Sequence, residues 1–334
     1  MDAVTETPFK LAALVALLEL WRQAMPRDAP NLDRFRDIAL ADRAFRPEGL
    51  VMLWRGPRLI GFGYAAADPP QGWLVGLGVA EDQRRRGHGR RILRSCLAFL
   101  AAAGCTSVDL GGRGERYLLP GADPVAYPEF RKLLLSAGFE RTGETFAMAC
   151  PLGPRPPGDG GGHPASGHPV SGHTFRHPGD GDIPELLRVA AGFGAGWSGI
   201  VRAHLARTGD TGNLWVACAG DGGIRGFAGF DLFPGCPGRF GPTGVLPAAR
   251  GAGLGARLLR LSLDSMARRG HRSAWFLWGP ESEPGRRMYA SAGFSVSRTF
   301  EYFHCDLQST ASRGGCPAER LAGPDRREPG EEPR

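Results

Sequence analysis

The spacing of apolar residues along this chain changes several times, and the changes come in the same order twice. In the later part, 183–205 carries apolar residues at helical spacing. The runs 214–219 and 224–233, rich in apolar and β-branched residues and separated by the turn Asp221-Gly222-Gly223, predict two strands. A short strand is predicted over 239–246, then an abrupt glycine-rich turn. A helix follows over 254–268, with Leu258, Leu259, Leu263 and Met266 on one face and Gly270 closing it. A strand over 274–278, a helix over 285–292 and two short strands within 294–307 complete the set. The earlier part repeats this order: 11–22, 50–54, 59–66, 73–79, 89–103, 107–110, 129–137 and 139–151.

Direct comparison of the halves supports an internal repeat. At an offset of 166 residues, 12 of the 30 positions from Gly78 to Ser107 are identical without a gap, among them Gly78, Val79, Arg84, Gly87, Gly89, Arg91 and Gly104. The chain therefore reads as a tandem duplication of a mixed α/β domain: an N-terminal domain over 8–151 and a C-terminal one over 173–307. Between them, 152–172 is almost entirely Pro, Gly, His and Ser, cannot bury apolar surface, and reads as a linker. His163, His168 and His173 recur there every five residues, a spacing open to metal binding, though a solvated linker is the simpler reading. The segment 308–334 lacks any apolar period and is expected to be a disordered tail.

Composition adds exclusions. The formal charge is +7, and Lys10 and Lys132 are the only lysines among 41 basic residues. Such an arginine excess suits polyanionic ligands, a phosphorylated cofactor or a nucleic acid alike. The chain has no helix-turn-helix pattern, zinc finger or aromatic RNA-binding signature, so nucleic acid is not expected as a partner. Seven scattered cysteines without a Cys-x-x-Cys pair argue against a disulfide framework and a zinc site, and a reducing cytoplasmic setting is the expectation. The apolar stretch 11–20 is too short to span a bilayer and lacks the flanks of a signal peptide, so no membrane partner is expected.

The chemistry centres on the turn shared by both halves, Arg84-x-x-Gly87-x-Gly89 and Arg250-x-x-Gly253-x-Gly255. In a chain with 51 glycines a lone Gly-x-Gly means little; its placement between a strand and an amphipathic helix, twice, means more. Glycines there let backbone N–H groups at a helix start approach a pyrophosphate, the helix dipole favours its charge, and the arginine adds donors. The spacing is not that of a dinucleotide-binding Gly-x-Gly-x-x-Gly turn, and a phosphate-binding loop ending in Gly-Lys-Ser/Thr is absent.

Gly244-Val245-Leu246-Pro247, then Arg250-Gly251-Ala252-Gly253-Leu254-Gly255, a helix, a strand, Tyr289 and Ala292-Gly293-Phe294 together closely resemble the GCN5-related N-acetyltransferases (GNAT), as a tandem two-domain member. The resemblance implies two GNAT-like α/β domains, each a central mixed, largely antiparallel sheet flanked by helices. It implies acetyl-CoA as co-substrate, no metal, and transfer of acetyl to a primary amine of a small molecule or peptide by direct attack through a tetrahedral intermediate. Thr243, Gly244 and Val245 would hold the pantetheine arm. Arg250, Gly251, Ala252, Gly253, Leu254, Gly255 and Ala256 would hold the pyrophosphate. Val79, Arg84, Arg85, Gly87, His88 and Gly89 are the counterparts in the first half. Tyr289 matches the tyrosine that protonates the departing thiolate. The strand before the turn lacks the glutamate that many relatives use as base, which leaves Asp231 and Glu281 as alternatives. The first half has Leu134 where Tyr289 stands and an insertion within 113–127 whose Tyr117 or Tyr127 could substitute. The second half is therefore the expected active one, and Trp197 is a candidate wall of the acceptor pocket or a core residue. A non-catalytic acyl-CoA-binding regulatory module is the alternative function.

Overall fold

A computed structural model describes residues 3–110, 117–153 and 172–308. The expected linker and tail, His163, His168 and the start of the 113–127 insertion lie almost wholly outside them. In chain order the regular elements are β1 Val4–Pro8, α1 Leu14–Ala24, α2 Leu32–Phe35, β2 Leu50–Arg55, β3 Arg58–Asp68, β4 Gln71–Val79, α3 His88–Ala102, β5 Ser107–Leu110, α4 Pro128–Ser136, β6 Glu140–Pro151, β7 Thr174–Arg176, α5 Ile183–Ala191, α6 Ala195–Thr208, β8 Leu214–Cys218, β9 Ile224–Phe230, β10 Phe240–Val245, α7 Leu254–Arg268, β11 Ser273–Phe276, α8 Glu283–Ser291 and β12 Ser295–Asp306. The fold is mixed α/β, as expected, with a large mixed sheet and a separate antiparallel one flanked by helices. Among the described residues no helix is long and apolar enough to cross a membrane, and no group of three or more His, Cys, Asp or Glu is placed to hold a metal ion.

The chain divides into two compact units, Met1–Glu144 with Phe300–Arg334, and Thr145–Thr299. The divisions fall inside β6 and β12, not at the Gly/Pro/His-rich stretch. In the first unit β1, β2, β3 and β4 run antiparallel in that order, and β5 joins β4 in parallel. One face carries α1 and α2 with Leu17, Leu20, Trp21, Phe35 and Phe62; the other carries α3 with Ile92, Leu93, Cys96, Leu97 and Leu100. These α3 positions recur every three or four residues, the stripe a helix needs to lie on a sheet. The second unit repeats the plan: β7, β8, β9 and β10 form an antiparallel sheet with α5 and α6 on one side and α7 and α8 on the other.

The last strands are exchanged. β5 pairs with the end of β12, Ser107 opposite Asp306 and Leu110 opposite Phe303. β11 pairs with the end of β6 at the same register, Ser273 opposite Pro151 and Phe276 opposite Met148. Phe303, Cys305 and Leu307 thereby complete the core of the first unit, and Met148 and Cys150 that of the second. Glu301, 9% exposed, fastens the returning strand: its carboxylate takes Arg131 Nε at 2.5 Å and Arg141 Nε at 3.0 Å, and its backbone exchanges hydrogen bonds with Ala122.

Other differences from the sequence reading are local. The span 183–205 is two helices, broken at Gly192 to Gly194, where Gly194 takes φ +138°. Residues 139–151 and 294–307 each form one long strand instead of two short ones, and β1, α2 and β7 were not anticipated.

Phe303 is 1% exposed, so Phe303→Ala should cost the first unit about 3–5 kcal/mol. Native-state hydrogen exchange is expected to show the loss in β5 and α3, about 200 residues upstream in sequence, with β8 and β9 little changed.

Candidate active site

In the second unit, β10 is hydrogen-bonded to β9 along one edge, Phe240 opposite Phe230 and Val245 opposite Gly226. Thr243 fixes this pairing further by donating its hydroxyl to Phe227 O at 3.0 Å. Towards β11, the described residues show one ladder contact, the parallel bridge of Arg239 with Trp275, where Trp275 N–H donates to Gly238 O at 3.0 Å. From Phe240 onward the two strands run apart, leaving the other backbone edge of β10 without a strand partner. β4 does the same in the first unit: it pairs with β5 only from Gln71 to Leu74 and continues to Val79 with β3 alone.

Each splayed strand runs into the same turn. After a 3-10 turn over Pro247–Ala249, Arg250 is extended and folds its Nε back onto Val245 O at 3.3 Å. Gly251 follows at φ +83° and Gly253, the N-cap of α7, at φ +76°. In the first unit Arg84 Nε reaches Val79 O at 3.1 Å, and Gly87 caps α3 at φ +83°. Arg85 holds φ +63° where the second unit has Gly251, a conformation that costs a side-chain-bearing residue roughly 1–2 kcal/mol. The shape of this loop is therefore imposed even where glycine is missing.

A left-handed residue at the N-cap leaves no side chain to satisfy the first helical amides. α2 and α8 are capped by Asn31 and Ser282, which accept from Arg34 N–H and Gly285 N–H. α3 and α7 have no side-chain cap; the first helical bonds there are Arg91 N–H and Arg257 N–H to the carbonyls of Gly87 and Gly253. The amides of Leu254, Gly255 and Ala256, and of His88 and Gly89, thus have no partner within the helix, a ready anion site. Arg257 Nε in the second unit, and His88 Nε2 and Arg55 Nε in the first, are also buried without a hydrogen-bond partner. Burial, then the charges of Arg55, Arg91 and Arg86, hold the His88 imidazole below its usual pKa. This concentration of unspent donors fits a polyanion such as a diphosphate.

Tyr289, 8% exposed on α8, lies among Phe276, Phe294 and Phe240, with ring centroids at 4.7, 5.4 and 6.1 Å. Its hydroxyl has no hydrogen-bond partner among the described residues, and burial pushes the phenol above its ordinary pKa. Leu134 occupies the corresponding place on α4, fully buried. Of the insertion's tyrosines, Tyr127 donates its hydroxyl to Asp28 Oδ2 at 2.5 Å, and Tyr117 is buried with its backbone carbonyl bonded to Arg34.

Both oxygens of Asp231 are engaged. Oδ1 accepts from Gly238 N–H at 2.7 Å and Oδ2 meets His271 Nε2 at 2.6 Å, while the Asp231 backbone sits at φ +54°. It belongs to the connection at the Phe240 end of β10, away from the glycine turn. Glu281 stands exposed before α8, without a hydrogen bond or ion pair among the described residues. Val245, beside Gly255, faces α7. Gly244 faces the other way, towards α5 and α6. There a Cβ would come within 2.7–2.9 Å of the Phe193 ring. Phe193 stacks on Trp197 at 5.5 Å and 18°, with Phe227 beneath both. The sequence reading noticed Trp197 and passed over Phe193; an aromatic isolated between Gly192 and Gly194 was the available signal. Arg269 and Arg286 are exposed; Arg269 ties Asn213 Oδ1 at 2.9 Å and Gly212 O at 3.0 Å, and Arg286 lies over the Phe146 ring.

Residues 14–114 match the family described as "Acetyltransferase (GNAT) family", and residues 210–296 match "Acetyltransferase (GNAT) domain". No curated protein sequence matches the chain. Among solved structures, a tandem GNAT protein from the clavulanic acid biosynthesis pathway, without AcCoA, shares 17% identity at a TM-score of 0.67, over 91% of this chain and 98% of its own. A GCN5-related N-acetyltransferase from Sphaerobacter thermophilus shares 18% at 0.66, over 91% and 95%. A glucosamine N-acetyltransferase region of a fungal multi-domain β-N-acetylglucosaminidase shares 13% at 0.70 over 91% of this chain, which spans 38% of that longer protein. With two family matches at the two splayed-strand turns and a common fold over nine-tenths of its length, the chain belongs to the GCN5-related N-acetyltransferase family as a tandem, two-domain member.

Proposed function

We propose that the second unit is an acetyl-CoA-dependent N-acetyltransferase that acts on a primary amine of a small molecule or peptide. The observation that carries this reading is the free edge of β10 running directly into the uncapped start of α7, with the unpartnered Tyr289 hydroxyl on the α7–α8 side of the same strand. When bound, acetyl-CoA supplies the thioester carbonyl that the amine attacks.

The amides at Gly251 to Ala256, with Arg250 and Arg257, hold the diphosphate, and the outer edge of Thr243, Gly244 and Val245 orients the arm. Tyr289 holds a proton at its Oη for the leaving sulfur. The upward displacement of its pKa keeps the phenol protonated at every working pH, and the aromatic surround that causes it keeps water away. Asp231, with both oxygens engaged, is left out of this mechanism, so the amine gives its proton to water or to the exposed Glu281. In the first unit the loop geometry of Arg84, Arg85, Gly87, His88 and Gly89 supports binding of acyl-CoA. Leu134 supports binding there without turnover.

Calorimetry with acetyl-CoA is expected to show two sites per chain and, for Gly253→Val, one. A side chain at φ +76° costs about 1–2 kcal/mol and fills the approach to the amides. Tyr289→Phe should lower kcat by at least about tenfold with unchanged acetyl-CoA affinity. Because the phenol is raised, the wild-type rate should hold through roughly pH 10 instead of falling below it. Asp231→Asn should lower Tm by weakening the His271 pair, while CoA release per folded molecule stays within about twofold of wild type. A large selective loss of turnover would return Asp231 to the mechanism.

A further inference from the structure

The two faces of β10 differ in a way that bears on which amine is accepted. Tyr289 and Phe240 lie on the α7–α8 side, whereas the Phe193 ring lies flat on Gly244 on the α5–α6 side. On the side opposite the phenol, the free edge is flanked by the stacked Phe193 and Trp197, both half-buried above Phe227. Gly194, at φ +138°, breaks the chain between α5 and α6 and sets the two rings face to face across that break.

From Leu186, in the first half of α5, to Gly209 after α6, there is no Asp or Glu, while Arg188, Arg202 and Arg207 are present. The neighbouring carboxylates are engaged elsewhere: Glu185 with Arg188 and Ile224 N–H, Asp210 with Gly212 N–H, Asp221 with Arg225, and Asp231 with His271. A single ammonium is tolerated beside a Trp face. A second or third would be taken out of water without a counter-charge.

We infer that the acceptor is a monoamine carried on an aromatic or similarly flat apolar body, and that polyamines and polyhydroxylated amino sugars are poor substrates. This rests on the N-acetyltransferase reading of the second unit. The test follows CoA release by the full chain with 2-phenylethylamine, spermidine and glucosamine, alongside calorimetric binding of acetyl-CoA and of each amine to the CoA-loaded protein. The expected kcat/KM for 2-phenylethylamine exceeds that for the other two by at least about tenfold. Trp197→Ala should raise KM for 2-phenylethylamine by about tenfold without changing acetyl-CoA affinity, and Trp197→Phe should restore most of it. A thermal melt of each variant separates loss of the ring from loss of the fold. Spermidine or glucosamine used or bound as well as 2-phenylethylamine, or indifference to Trp197→Ala in a folded variant, overturns the acceptor inference alone. Preferential 2-phenylethylamine binding lost in Trp197→Ala, but without turnover, supports the acceptor class while removing catalysis. Absence of acetyl-CoA binding overturns both.

Discussion

Backbone N–H and C=O groups inside a sheet are normally consumed on both sides, and burying them unpaired is costly. Arg239, just before β10, meets that requirement on both sides; beyond it, Phe240 and Thr243 to Val245 pair with β9 on one edge and have no strand partner on the other. The surrounding construction depends on that free edge. It needs a strand that ends in a turn compact enough to start α7 without a capping side chain, and Gly251 and Gly253 supply the left-handed geometry. It also needs walls that do not close it, and the aromatic clusters on the two faces stand to either side of it. Hydrogen-bonding capacity withheld from the fold is what the proposed acyl-CoA site draws on.

The duplication shows which parts of this arrangement are geometric and which are chemical. Splayed strand, arginine folded back on its own strand, left-handed residue and uncapped helix recur in both units to within small differences of angle, even where Arg85 replaces a glycine. The side chains around them have diverged. A phenol in one unit is Leu134 in the other. The exchanged strands carry an acid, Glu301, clasped by two arginines in the first unit, and an aromatic, Phe146, beneath Arg286 in the second.

Much of this was legible in the sequence, for identifiable reasons. α7 was read to the residue because its apolar stripe starts after Gly253 and ends before Gly270, both strong punctuation. The tandem plan was legible because Gly87 and Gly89 recur as Gly253 and Gly255 at a single offset. The break between α5 and α6 was missed although Gly192 and Gly194 mark it, since apolar spacing carries through it. The strand exchange was not legible at all. β6 and β12 alternate in the same way, with Met148 and Cys150 in one and Phe303 and Cys305 in the other, so either satisfies either partner. The engagement of Asp231 was equally hidden, because His271 lies forty residues on and meets it only through the fold.

That exchange imposes an order on biosynthesis. While the ribosome is still making the second repeat, the outer edge of β5 in the first lacks its strand, and the apolar sites that Phe303, Cys305 and Leu307 will fill stay exposed. The N-terminal repeat can thus be translated early yet mature late, closing only when residues 300–307 leave the exit tunnel. Nor would a protease that severs the glycine-rich joint liberate two autonomous proteins, since each fragment would carry away a strand belonging to the other.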